Sequence, residues 1–334
     1  MTDPPGTAVS SRPAPPPPAA SAGGTPPAPR PPTAQRVLPL RRRGRLLATA
    51  VVLVLVAQIV HGLATNPFYQ WDRFAYWFVR PVILDGLLIT LEVAAYSAVL
   101  GLLGGIALAL ARLSGSPVLR AVSWTYTWLF RSVPLIVVLL FLYNFSALYR
   151  TLSLGVPFGP AFLTFDESRL ATDLVVAVVG LSLNEAAYAS EVVRAGILSV
   201  DQGQHEAAAA LGLPKRYQSA RIVLPQALRS VVPNYVNQLI GLIKGTSLVF
   251  YVSLLDLFGS VQSMGSTYPG DIVPLLLVAT VWYVILTSVV SVVQFHVERH
   301  YSRGALRTVP PTPLQKLRIA LGDLRARVRT ETAT

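Results

Sequence analysis

Gly203-Gln204-His205-Glu206-Ala207-Ala208-Ala209-Ala210-Leu211-Gly212-Leu213-Pro214 encodes a short helix with its own stop. Glu206 through Leu211 are mostly strong helix formers, Gly212 can take the left-handed cap position, and Pro214 blocks continuation. An apolar run precedes this stretch at 173–195 and another follows at 231–250, each long enough to cross a hydrocarbon core about 30 Å thick at about 1.5 Å per residue. A helix about three turns long, tethered at both ends to crossing segments, moves with them as a rigid knob. That is the shape of a transmission element.

Further out, apolar runs lie at 46–64, 83–111, 133–149 and 272–296. Together they predict an all-α polytopic membrane protein with six transmembrane helices. Composition agrees: 52% of the 334 residues are hydrophobic and only 13% charged, too apolar for an ordinary soluble surface. The formal charge of +12 raises the question of nucleic acid, but the basic residues sit at the edges of the apolar runs, where a cytoplasmic membrane face collects them. Zero cysteines exclude disulfides, thiolate metal sites and cysteine nucleophiles.

Sorting the Lys and Arg by side tests the arrangement. Only Arg73, Arg80, Arg150 and Arg169 fall outside, and Lys244 lies within a span; the other 23 of the 28 are on one side, which predicts that both termini are cytoplasmic. Asp72, Asp166, Glu167 and Asp271 fall in outer loops, and Tyr69, Trp71, Tyr76 and Trp77 suit an outer interfacial belt. Residues 1–36, rich in Pro and Ala with a run from Pro15 to Pro18, predict a disordered cytoplasmic arm. Arg41, Arg42, Arg43 and Arg45 then precede the 46–64 run in the order of a signal peptide. The late start, the long apolar stretch and the lack of an A-x-A site before Asn66 make it an uncleaved helix. Residues 37–80 are read as this extra helix with its outer loop, and 305–334 as a basic cytoplasmic tail.

Glu206-Ala207-Ala208 with Gly212, followed by Ile222-Val223-Leu224-Pro225, resembles the EAA loop of ABC importer permeases. Arg131-Ser132-Val133-Pro134-Leu135 is similar to the R-G-T-P-L element of the polar amino acid permeases, the histidine and glutamine type. Ala187-Tyr188-Ala189-Ser190-Glu191-Val192-Val193-Arg194 resembles their A-Y-x-A-E-x-x-R, and Lys244-Gly245-Thr246-Ser247-Leu248 their K-D-T-S-L. Gly86 with Thr90-Leu91 matches the start of their first core helix. The resemblance covers 81–304 and implies a five-helix type I (MetI-like) permease core with a coupling loop at about 196–225. Ser132, Val133, Gly245 and Asp256 depart from the family pattern.

The resemblance implies an importer permease subunit in a bacterial cell membrane. Its expected partners are a second permease, identical or homologous, ABC ATPase subunits that hold ATP and Mg, and an extracytoplasmic binding protein that delivers a polar amino acid. The ATPase-coupling residues are then Glu206, Ala207, Ala208, Gly212 and Pro214; Arg131, Pro134, Glu191, Arg194, Thr246 and Ser247 belong to the structural motifs. Glu206 is expected to pair with a basic group on the ATPase. No G-x-x-x-x-G-K-[ST] occurs, so the chain has no P-loop, and no cofactor is expected on it.

Depth arithmetic selects a solute site. Glu92 and Glu185 lie roughly 14–18 Å below the outer ends of their spans, and Asn144 and Lys244 about 17–20 Å from the inner face. With Asn184 they predict a ring near the midplane, where uncompensated charge is costly. Lys244 suits a carboxylate and a Glu an ammonium; the second Glu leans the ring toward a cationic amino acid. Lys244 paired with one Glu as a structural bridge is the alternative, and Glu191 is expected to pair with Arg194 one turn along.

His205-Glu206 begins like the zinc motif H-E-x-x-H, but Ala209 stands at the second histidine, so no metal site is expected. His61, His296 and His300 sit at span ends. Gly101/Gly105 and Gly241/Gly245 are read as helix-packing pairs. An ion-coupled secondary transporter or channel stays open through Glu92, Glu185 and Lys244; a lipid-linked transferase would need clustered acids that the sequence lacks. Co-purification with an ATPase separates these classes.

Overall fold

The computed structural model describes residues 43–145, 151–155, 161–166 and 172–301. The 1–36 arm, Arg41, Arg42, Arg150, Glu167, Arg169 and the 305–334 tail lie outside the described residues. Two units divide the chain at Gly62. The first carries nearly all of α1 (Arg43–Thr65), whose apolar part, Leu47–Thr65, is long enough to cross a membrane.

The second unit begins with a short amphipathic helix, α2 (Trp71–Phe78), fixed to the start of the last helix. The Trp77 indole donates to Asp271 Oδ2 at 2.8 Å, Arg73 pairs with Asp271 Oδ1 at 3.0 Å, and Phe78 stacks on Trp282 with centroids 4.9 Å apart. The aromatic group read as an interfacial belt is therefore also a packing element.

α3 (Pro81–Leu113) opens with proline in its first turn, where the missing N–H costs nothing, and runs 33 residues. Gly86, Thr90, Ala94, Ser97, Gly101, Gly105 and Ala109 form a buried stripe of small residues along it. Its later part, with Ser97, Gly101 and Gly105, packs on α6 (Asp173–Leu198). A Cβ on Gly101 would stand 2.5 Å from Glu185 Cγ, and one on Gly105 the same distance from Ala189 Cβ. In lipid, where burying apolar area gives little drive, this close approach is what holds helices together. The second glycine pair differs: Gly241 has nothing within 4 Å, and only Leu135 and Leu181 side chains lie near Gly245.

The span expected at 133–149 is organised differently. Its helix starts at Pro117 as α4 (Pro117–Ser132), breaks, and resumes as α5 (Leu135–Tyr143) at an angle of 100°. Val133, forced out of the helical region by the following proline, is extended at φ −86°, ψ 130°. α4 was missed because its apolar pattern is interrupted by Arg120, Ser123, Tyr126 and Thr127. Those hydroxyls are satisfied internally: Ser123 donates to Leu108 O at 2.8 Å, Tyr126 to Leu183 O at 2.8 Å, and Thr127 to Ser123 O at 2.8 Å.

Between α5 and α6 a two-stranded antiparallel hairpin, β1 (Thr151–Gly155) and β2 (Ala161–Asp166), pairs Thr151 with Asp166. Nothing in the apolar periodicity announced it. After α6 come α7 (Gln202–Ala210), one turn at Lys215–Tyr217, a π-helical segment Gln218–Val223, and α8 (Leu224–Gly245). A 3-10 segment Thr246–Val252 leads through left-handed Ser253 to α9 (Leu257–Thr267), 46° off the preceding helix, and then α10 (Ile272–Tyr301). Among the described residues four helices are long and apolar enough to cross a membrane, and six if each bent pair is one span. The described residues thus have the all-α polytopic architecture, decorated by one small hairpin.

Candidate functional site

α7 begins at Asp201, whose carboxylate accepts the Gly203 N–H at 2.8 Å. It ends in a complete Schellman closure: Leu213 N–H reaches Ala208 O at 3.1 Å and Gly212 N–H reaches Ala209 O at 3.0 Å, with Gly212 at φ +67°. Pro214 then starts the next turn as its N-cap. Ala208 is the buried residue of the helix; Glu206 and Ala207 are exposed, and Leu211 projects with 76% of its surface free. His205 Nδ1 lies 2.9 Å from Gln218 Nε2 and ties the knob to the π-helical segment, a contact the sequence reading did not anticipate. The result is a capped, partly apolar protrusion that exposes Glu206 beside the Asp201 cap.

The motif residues form the frame behind it. Glu191 accepts from Arg194 Nη2 at 2.6 Å, the intrahelical pair expected from their spacing. The Arg131 guanidinium lies 5.5 Å from the centre of the Tyr188 ring. Pro134 caps α5 at the bend. The Thr246 and Ser247 hydroxyls turn back onto Ile243 O and Lys244 O, both at 2.8 Å, which closes the end of α8.

The proposed ring divides into two environments. Glu92, Asn144 and Lys244 are exposed on the single chain and Asn184 is half-buried. Glu185 is only 4% exposed, packed against Gly101, and its Oε1 accepts from Gln238 Nε2 at 2.8 Å. Gln238 and Tyr235, whose hydroxyl donates to Ala98 O at 2.6 Å, build the wall around that carboxylate. The signal for them was present in the sequence: Asn234 and Gln238 stand one turn apart on an intramembrane helix, where polar residues are rare without a reason. Among the described residues neither Glu is within ion-pair distance of Lys244. Lys244 instead sits at the edge of a cavity of about 610 Å³, with Ser247, Phe258, Thr280, Tyr283 and Thr287.

Another buried carboxylate stands in the sequence only as a departure from the family pattern. Asp256, fully buried, caps α9 through the Gly259 N–H at 2.9 Å and accepts from Tyr283 OH at 3.2 Å. No cluster of three or more His, Cys, Asp or Glu suited to a metal occurs among the described residues.

Residues 101–303 match the family model described as "Binding-protein-dependent transport system inner membrane component". The chain is 38% identical over 289 residues to "Arginine transport system permease protein ArgU" of Corynebacterium glutamicum, covering 86% of this chain and 89% of that one. It is 36% identical to "Glutamate/aspartate import permease protein GltK" of Escherichia coli O6:H1, over 68% of this chain and 97% of that one. Among solved structures it resembles a chain of an amino acid ABC transporter crystallised with histidines, with a TM-score of 0.56 and 27% identity, over 66% of this chain and 94% of the other. The match extends well past half the chain and these relatives are permease subunits, so the chain belongs to the family of binding-protein-dependent transport system inner membrane components, as a permease subunit of an ABC importer.

Proposed function

We propose that this chain forms half of the pathway of an importer for a cationic amino acid, with arginine the leading solute. The observation that carries the coupling half of this reading is α7 itself: a capped knob held between membrane-crossing α6 and the segment entering α8, exposing Glu206 and Leu211 where an ATPase can grip them. Glu206 pairs there with a basic group of the ATPase, Ala207 and Ala208 give the helix a close-fitting face, and Gly212 and Pro214 end it. The charge distribution supports an orientation with both termini and α7 in the cytoplasm. An extracytoplasmic binding protein then delivers solute to the opposite side, and a second permease, identical or homologous, completes the pathway.

The solute reading is supported by two acids and one lysine at intramembrane depth, and by the arginine permease among the relatives. In it Glu92, Asn144, Asn184 and Lys244 meet the solute, and Glu185, held by Gln238, sets the charge behind them. Solute-stimulated ATPase activity of the assembled importer tests this. Arginine should stimulate more strongly than glutamine or glutamate, and Glu92→Gln and Glu185→Gln should weaken the arginine response while basal activity and assembly persist. Unchanged solute dependence in both variants would remove the acids from the pathway.

A further inference from the structure

At the end of the bundle that carries α7, a pocket of about 340 Å³ opens between the last turn of α3, α4 and α6. Arg112 and Arg131 enter it from two different helices, and Glu191 from a third. Glu191 is already committed to Arg194 at 2.6 Å. Among the described residues neither Arg112 nor Arg131 has a carboxylate within ion-pair distance; Arg131 has only the Tyr188 ring. The pocket therefore holds two guanidiniums without a paired carboxylate, beside the Glu191–Arg194 pair, an arrangement suited to two-point recognition of an oxyanion.

The rest of the lining says what carries that oxyanion. Trp124 and Trp128 stack at 6.1 Å with planes 6° apart, and each stays more than half exposed beside the arginines. The same helix exposes Val118, Val122 and Leu129. A soluble anion gains nothing from an open tryptophan pair and an apolar flank, whereas an amphiphile uses both, its headgroup on the arginines and its acyl chains along α4. Tryptophan at the headgroup level and basic pockets between helices are the two features by which anionic lipids are held. We propose that this pocket binds the phosphodiester headgroup of an anionic phospholipid, at the joint where α4 breaks into α5. Arg131 and Ser132 line the pocket and directly precede the bend, so an occupant braces the broken span.

The full-length permease, purified in detergent, can be titrated with phosphatidylglycerol or phosphatidylcholine of identical acyl chains and examined by native mass spectrometry. The expected result is retention of phosphatidylglycerol over phosphatidylcholine. Retention should fall about 30-fold in the double variant Arg112→Gln/Arg131→Gln, since each basic residue at an anionic surface contributes about a five-fold factor. Arg120→Gln, exposed and outside the pocket, should change nothing. Quenching by brominated phosphatidylglycerol, read on wild type against Trp124→Phe/Trp128→Phe, locates the lipid without touching the arginines. Equal retention of both lipids, or quenching unchanged by loss of the two tryptophans, overturns the proposal. So does displacement by free glycerol phosphate at the same concentration as the lipid, which would make this a small-anion site. None of these readouts depends on the solute or on the ATPase.

Discussion

The Thr90 hydroxyl donates to Asp256 Oδ2 at 3.2 Å across 166 residues of sequence, and its oxygen accepts the Leu257 N–H at 3.0 Å. One threonine thus links the first core helix to both the cap and the first residue of α9. Gly86, one turn earlier, allows the approach, because a Cβ there would stand 2.8 Å from Asp256 O.

Removing either end of this link should loosen α9 from α3. Thr90→Val should cost about 0.6 to 1.7 kcal/mol, from the average to the largest value for interhelical hydrogen bonds in membranes. Asp256→Ala should cost more, since it also removes the cap and the carboxylate that accepts from Tyr283. Thermal unfolding of the purified chain in detergent measures both. Equal loss in the two variants would contradict the ordering.

Gly212 offers a cleaner separation of shape from coupling. Nothing lies within 4 Å of the position a Cβ would take, so any penalty there comes from its φ of +67° and not from crowding. Gly212→Asn, which tolerates that conformation, should retain most transport, and Gly212→Val should lose it, with about 1 to 2 kcal/mol of local strain. Insertion should be normal in both. Uptake assays at matched expression decide it; a valine variant with normal uptake would falsify the coupling role.

The two glycine pairs should respond in opposite ways. Gly101→Val drives a side chain into Glu185 and should destabilise the bundle by about 1 to 3 kcal/mol, as overpacking does. Gly241→Val enters open space and should be close to neutral. A melting comparison of the two purified variants is sufficient.

Topology is directly accessible because the chain has no cysteine to remove. A cysteine at Gly270 should react with an impermeant maleimide on intact cells, and one at Gln204 only after permeabilisation. The reverse pattern would invert the orientation argued from the basic residues.

Apolar runs made most of the crossing helices legible, because a lipid-exposed segment must be long, continuous and apolar whatever it packs against. α4 is not legible as part of a span, since its hydroxyls look polar until Leu108 and Leu183 on neighbouring helices are seen to accept from Ser123 and Tyr126. The stop of α7 is readable in the sequence: Gly212 and Pro214 are local instructions, independent of tertiary context. Glu185 illustrates the opposite case. Depth could be counted along the chain, but direction could not, and only the packed bundle places its carboxylate against Gly101 and Gln238. Asp256 reads in the sequence only as a family variant, although an Asp directly before an apolar pair is itself a helix-start signal.

The small-residue stripe of α3 has a mechanical meaning. Where Gly101 and Gly105 bring two backbones together, sliding would drive Glu185 and Ala189 of α6 out of the gaps that these glycines leave on α3, which favours movement of α3 and α6 as a single beam. α7 is joined to that beam at Leu198 through a three-residue connection, a tether too short for the knob to move far without α6. Compliance is left to the places without such a seam: the 100° corner at Val133 and the left-handed Ser253. The spacing of glycines in one helix thereby decides which parts of the permease travel and which parts fold.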